Sequence, residues 1–223
     1  MDWFPLFNSL RIASISSILM FFASIAAAYY TARLPRVIKG ALDVILTLPL
    51  VLPPTVIGYL LLLLFGRQRP LGMAFERIGL QFVMTWYGGV LTAAFVAFPL
   101  LYRTARGAFE AFDQTLAQAG QTLGLSNTYI FWRIRMPACR QGILAGFVLA
   151  FARALGEYGA TSMLIGYTPG RTATIATTVY QLWRTGDNRQ ALCWALINLV
   201  ISAGGLFTVV LLERGQRKEV RYT

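Results

Sequence analysis

Arg153 and Glu157 lie near the end of an apolar run, in Phe151-Ala152-Arg153-Ala154-Leu155-Gly156-Glu157-Tyr158-Gly159-Ala160-Thr161. Positions four apart share a helix face, so guanidinium and carboxylate can pair. Ionisable groups within such a run are costly in lipid and face protein or a cavity. The pair is therefore either a structural clamp between helices or part of a permeation path or gate. A second stretch, Leu48-Pro49-Leu50-Val51-Leu52-Pro53-Pro54-Thr55-Val56-Ile57-Gly58-Tyr59, holds Pro49, Pro53 and Pro54 just before Thr55. Proline lacks the donor a helix needs and breaks it. In a bilayer the freed carbonyls need neighbouring protein or a water-filled path. This stretch is either a plain kink in a packed bundle or a bent helix lining a path.

A third stretch, Leu116-Ala117-Gln118-Ala119-Gly120-Gln121-Thr122-Leu123-Gly124, is a polar interruption between long apolar runs. Read as a helix, Leu116, Ala119, Gly120 and Leu123 fall at i, i+3, i+4 and i+7 and form one apolar stripe. Gly124 marks where so short a helix stops and turns. Pro137, after Ile134-Arg135-Met136, stands where a new helix begins, since its missing N–H costs nothing there. A surface loop with a short interfacial helix fits the same pattern.

Much chemistry is excluded. The chain has no His, which removes Ser-His-Asp and Cys-His catalysis and His-based metal sites. It also lacks a nucleotide-binding Gly-Lys-Ser/Thr loop and a Gly-x-Gly-x-x-Gly stretch, so no cofactor is expected and any ATP is bound by another chain. Without metal clusters or paired carboxylates, a membrane enzyme is the weakest class. The two cysteines, Cys139 and Cys193, are expected on opposite membrane sides, unbridged and buried as apolar fillers.

The elements that must position these residues are membrane spans. The composition is 57% apolar and 13% charged, with a mean hydropathy of +0.58. Soluble domains carry roughly a quarter charged residues, and apolar runs of about 20 residues span a bilayer. The net charge of +11 does not mark a nucleic-acid binder, because the basic residues lie between apolar runs. The reading is an all-α membrane protein, one domain over 1–223, with about five spans at 8–32, 41–65, 86–102, 138–160 and 191–212 and a central loop over 103–137.

Asp2 before the first span and Arg33, Arg36 and Lys39 after it favour a retained span with its N-terminus outside. The basic tail Glu213 to Lys218 then belongs inside, as does the belt Tyr129, Phe131, Trp132, Arg133 and Arg135. Arg67, Arg69, Arg77, Arg171, Arg184 and Arg189 fall outside, where a basic face concentrates anions or docks an acidic partner. Several local expectations follow. Arg11 snorkels to the outer interface, and Asp43 sits near Lys39. Leu71 to Phe82 forms an interfacial helix, and Gly166 to Arg189 a partly inserted external segment. The Ser-rich first span and the small stripe Gly142, Gly146, Ala150 and Ala154 form close helix contacts.

The central loop resembles the signature loop of ABC importer permeases: Glu-Ala-Ala, three residues, Gly, nine residues, Ile-x-Leu-Pro. Gln118-Ala119-Gly120, Gly124, Ile134 and Pro137 keep that spacing, while Gln118 replaces Glu, Gly120 the second Ala and Met136 the Leu. The triple-proline and Arg153–Glu157 stretches are similar to those of molybdate ABC transporter permeases, the second also to sulfate permeases. The likeness covers about residues 8–214.

The resemblance implies a type I ABC importer permease fold in the bacterial cytoplasmic membrane, working as a homodimer with two ATPase subunits and an extracytoplasmic oxyanion-binding protein. It implies that Leu116, Ala119, Gly120, Leu123, Gly124, Ile134 and Pro137 couple to the ATPase. Pro49, Pro53, Pro54 and Thr55 would line or gate the path, with Arg153 and Glu157 holding helix geometry around it. Tungstate or sulfate is the alternative cargo. An ion-coupled secondary transporter is the rival class, and no inverted repeat supports it.

Overall fold

The computed structural model describes residues 2–219, with side chains described to residue 208 and at 210. Among them every regular element is helical. The side chains of the basic tail Glu213 to Lys218 lie outside the described ones.

Helix α1 (Phe4–Ala32) carries Pro5 in its first turn, where a missing N–H is harmless. Helix α2 (Arg36–Thr47) passes through a 3-10 turn, Leu48–Leu50, into α3 (Pro54–Phe65). The two arms meet at 104°. The prolines explain the angle. Pro49 and Pro53 withhold donors, and Pro54 is fitted to begin a helix. The expected span 41–65 is thus two helices with a sharp corner. Helix α4 (Pro70–Glu76) stops well short of Phe82, because Gly79 turns the chain at φ 79°.

Helix α5 (Trp86–Glu110) is the most deeply covered span, and α1 and α8 pack along it. Helix α6 (Gln114–Thr122) follows. Then α7 (Asn127–Ile130), a π-helical turn (Phe131–Arg135) and α8 (Met136–Leu155) run as one continuous helix. This corrects the expected helix start at Pro137. The helix begins ten residues earlier, on the Ser126 cap. The π turn passes the Met136 N–H back to the Phe131 carbonyl and carries the chain across the proline without a break.

The fourth span is also interrupted. Helix α8 stops at Leu155, and α9 (Gly159–Leu164) restarts after Gly156 to Tyr158. Helices α10 (Ile175–Arg184) and α11 (Asn188–Glu219) complete the described residues. Among the described residues four helices are long and apolar enough to span, or five if the bent α2–α3 pair is one span.

The small and hydroxylated residues meet as expected. A Cβ on Gly146 would strike the Thr104 hydroxyl, and one on Gly142 would lie 3.1 Å from Ala108 Cβ, so α8 rides close on α5. Ser16, Ser17 and Ser24 are fully buried on α1. Asn8 Nδ2 donates to the Ala173 carbonyl (2.9 Å), and Ser9 Oγ accepts from the Ile175 N–H (2.8 Å). These bonds seat the 166–175 segment on the start of α1.

Two expectations fail. Asp43 pairs not with Lys39 but with Arg106 at 2.7 Å, while Lys39 reaches Glu110 at 3.0 Å. Partners across the α2–α5 contact outcompete the neighbour on the same helix. Cys193 is exposed and not buried, since α11 has few neighbours, whereas Cys139 is buried against the Ala108 carbonyl. Arg11 is exposed. Its guanidinium lies 4.0 Å from the Trp86 ring centroid and bonds Asn8.

Candidate functional site: a docking helix and a broken-helix seam

At one end of the bundle, Asp113 caps α6 by accepting the Thr115 N–H at 2.9 Å. The other terminus closes as a Schellman turn. Gly124, at φ 75°, donates to the Gln121 carbonyl, and the Leu125 N–H returns to Gly120. Only glycine takes that φ without strain. The helix is thereby fixed at both ends in length and direction.

Its apolar residues divide between two faces. Ala117 and Gly120 are buried against the protein, and a Cβ on Gly120 would stand 3.1 Å from Ile130 and 3.3 Å from Ile134. Leu116 (49% exposed) and Leu123 (79% exposed) point outward, with Ala119 exposed between them. Leu116, Ala119 and Leu123 therefore form an unpartnered apolar stripe, while Gly120 and Ile134 anchor the helix from behind. Pro137 is exposed and lies outside this arrangement.

The second constellation lies where both broken spans meet. A Cβ on Gly159 would stand 2.8 Å from Pro54 Cβ and 3.2 Å from Thr55 N, and one on Gly58 would stand 2.7 Å from Ala160 Cα. The start of α3 thus lies directly on the start of α9. Arg153 Nη1 meets Glu157 Oε2 at 2.6 Å, and Glu157 Oε1 accepts the Ala160 N–H at 2.7 Å. Glu157 is 3% exposed, so its carboxylate ties the end of α8 to the beginning of α9. One turn on, the hydroxyls of Thr161 and Thr92 bond at 3.2 Å. Helix α9 is thereby pinned to α5, about 9 Å along from Trp86 at the usual helical rise.

Pro53 and Thr55 are exposed beside this seam, and Pro54 is half-buried within it. Pro49 is elsewhere. It lines an apolar groove of about 440 Å³ with Leu19, Met20, Ile45, Phe95 and Phe98. The proposed pathway residues therefore divide into a polar seam and a separate greasy wall. Gly58, Gly159, Thr92 and Thr161 were not singled out from the sequence. A lone Gly inside the apolar run of α3 was the available signal for Gly58.

The geometry on display is a set of long apolar helices, one short capped helix with an outward apolar stripe, and two broken spans that meet. Residues 8–218 match the family described as the binding-protein-dependent transport system inner membrane component. The chain belongs to that family, whose members are transport subunits and not enzymes. It is a multi-pass inner-membrane protein.

It is 40% identical over 210 residues to the molybdenum transport system permease protein of Escherichia coli (strain K12), covering 90% of this chain and 92% of that one. It is 38% identical over 214 residues to the protein of the same description from Haemophilus influenzae, covering 95% and 93%. Among solved structures it resembles a bacterial ABC transporter that imports alginate, with a TM-score of 0.72, 18% identity and coverage of 96% of this chain and 78% of that one. It also resembles the inward-facing methionine ABC transporter, with a TM-score of 0.66, 14% identity and coverage of 98% and 94%. The fold is that of type I ABC importer permeases.

Proposed function

We propose that this chain is the permease subunit of an ATP-driven importer of molybdate, acting as a homodimer. Two ATP-binding cassette subunits dock on it, and an extracytoplasmic oxyanion-binding protein delivers the cargo. The observation that carries this reading is the outward apolar stripe Leu116, Ala119 and Leu123 on a helix capped at both ends. Such a stripe suits a groove in a partner. The named relatives support molybdate as cargo.

In this reading residues 103–137 form the cytoplasmic coupling loop, the N-terminus is outside and the C-terminus inside. ATP is held by the partner and not by this chain. Closure of the ATPase pair pushes on α6. The push passes through Gly120 and Ile134 into the continuous helix Asn127–Leu155, and so to the Glu157 joint and the α3–α9 seam. A rigid helix leading to a hinge converts a small displacement into alternate openings. Pro53, Pro54 and Thr55 border the path, and the Arg153–Glu157 pair holds the joint.

The test is uptake into liposomes by the complete complex, comparing molybdate, tungstate and sulfate with and without ATP. ATP-dependent molybdate uptake that disappears in Gly124→Pro supports the proposal, because proline cannot adopt φ near 75°. Uptake independent of ATP or of the partner would overturn it.

A further inference from the structure

Behind α6, on the side away from its exposed stripe, lies a polar cavity of about 620 Å³. Arg33, Lys39 and Arg135 line it, with Glu110 as its one carboxylate and Gln114, Gln118 and Gln121 as amides. Lys39 is paired with Glu110. Arg33 and Arg135 have no carboxylate within salt-bridge distance among the described residues.

Arg135 is the unusual group. It is 5% exposed, yet its guanidinium meets the rings of Phe112 (4.8 Å) and Tyr29 (5.5 Å) and donates one bond, from Nη2 to Gln114 Oε1 at 3.0 Å. Its buried Nε has no partner. A buried cation is costly without an anion. Because the Gln114 oxygen is committed to Arg135, its amide nitrogen is left to donate. Arg33, stacked 3.8 Å from the Tyr29 ring, adds a second cation to the same wall.

We infer that this cavity is an anion site that takes a tetrahedral oxyanion, either free in solution or as the phosphate of a lipid headgroup, between Arg135, Arg33 and the Gln114 amide. Charge explains the choice. The wall has two uncompensated cations and amide donors, and a planar guanidinium presents parallel N–H groups that match oxyanion geometry. The site lies apart from the α3–α9 seam, and its existence does not depend on the cargo proposed above.

The test is equilibrium binding of radiolabelled molybdate and of inorganic phosphate to the full chain in nanodiscs. One set is made of the phosphate-free lipid digalactosyldiacylglycerol alone and another contains phosphatidylglycerol. Saturable binding in the neutral discs, weakened at least tenfold by Arg135→Gln and severalfold by Arg33→Gln, supports a free-oxyanion site. Binding that phosphatidylglycerol abolishes supports the same site with a lipid phosphate as occupant.

Gln118→Glu guards against misfolding of the Arg135 variant. It adds a carboxylate to the cavity wall on an exposed helix position, so it should remove binding while the chain keeps its wild-type melting temperature. Absence of saturable binding in the neutral discs overturns the inference. So does binding unchanged by Arg135→Gln or Gln118→Glu.

Discussion

Glu157 holds two helices with one carboxylate: one oxygen takes the Arg153 guanidinium and the other the Ala160 N–H. Replacing both ionic residues by apolar ones would therefore strip a backbone N–H of its partner as well as removing the charge. Arg153→Gln with Glu157→Gln is the cleaner variant, since an amide oxygen still accepts from Ala160. It is expected to assemble normally and to lose uptake only if the charges serve the path. Glu157→Ala alone should cost about 2 kcal/mol, because the half-buried Arg153 guanidinium and the Ala160 N–H both lose their partner. Thermal melting and liposome uptake measured together separate these outcomes. The pairing was legible from the i,i+4 spacing. The second acceptor role was not, because it depends on the helix restarting at Gly159.

Among the elements, α6 should tolerate surface change without unfolding. Leu123 is 79% exposed, so Leu123→Glu should leave the melting temperature within about a degree. Co-purification with the ATPase should fall at least tenfold. Normal co-purification would remove Leu123 from the contact.

The α6 cap should also titrate. The Thr115 hydroxyl and then its N–H hold the Asp113 carboxyl below the usual carboxylate range. A depressed folded pKa means the stabilisation is fully present above the unfolded value of about 3.9. It is lost as pH falls through the lower folded value. Amide protection at Thr115 should drop across that acid range in the wild type and stay flat in Asp113→Asn, which keeps a capping oxygen. The Gly124 end of α6 was readable because a helix stop is local chemistry. The continuous helix through Pro137 was not, since the π turn before it answers to packing of Ile130 and Arg135.

Across the whole molecule, coverage is uneven. Helix α5 is sheathed by α1 and α8, whereas α11 leaves Leu192, Leu196, Leu199 and Val200 exposed. That face is left for lipid or for a second copy. Cys193, on the same helix, should react with N-ethylmaleimide in detergent while Cys139 stays protected, as mass spectrometry would read. Equal labelling would mean that α5 and α8 part near Ala108.

The sequence by itself determined the membrane class, the number and order of apolar segments, the break at Pro49 to Pro54 and the Gly124 end of α6. Each follows from the composition of a short window or from a residue's own backbone limits. Tertiary structure alone decided which partners Asp43 and Lys39 chose and that Gly58 and Gly159 bring α3 onto α9. It also decided that Pro49 parts from Pro53 and Pro54, and that Arg135 is buried without a carboxylate. These facts depend on which faces meet. A 104° corner between helices re-aims every side chain beyond it, and no local pattern encodes that direction.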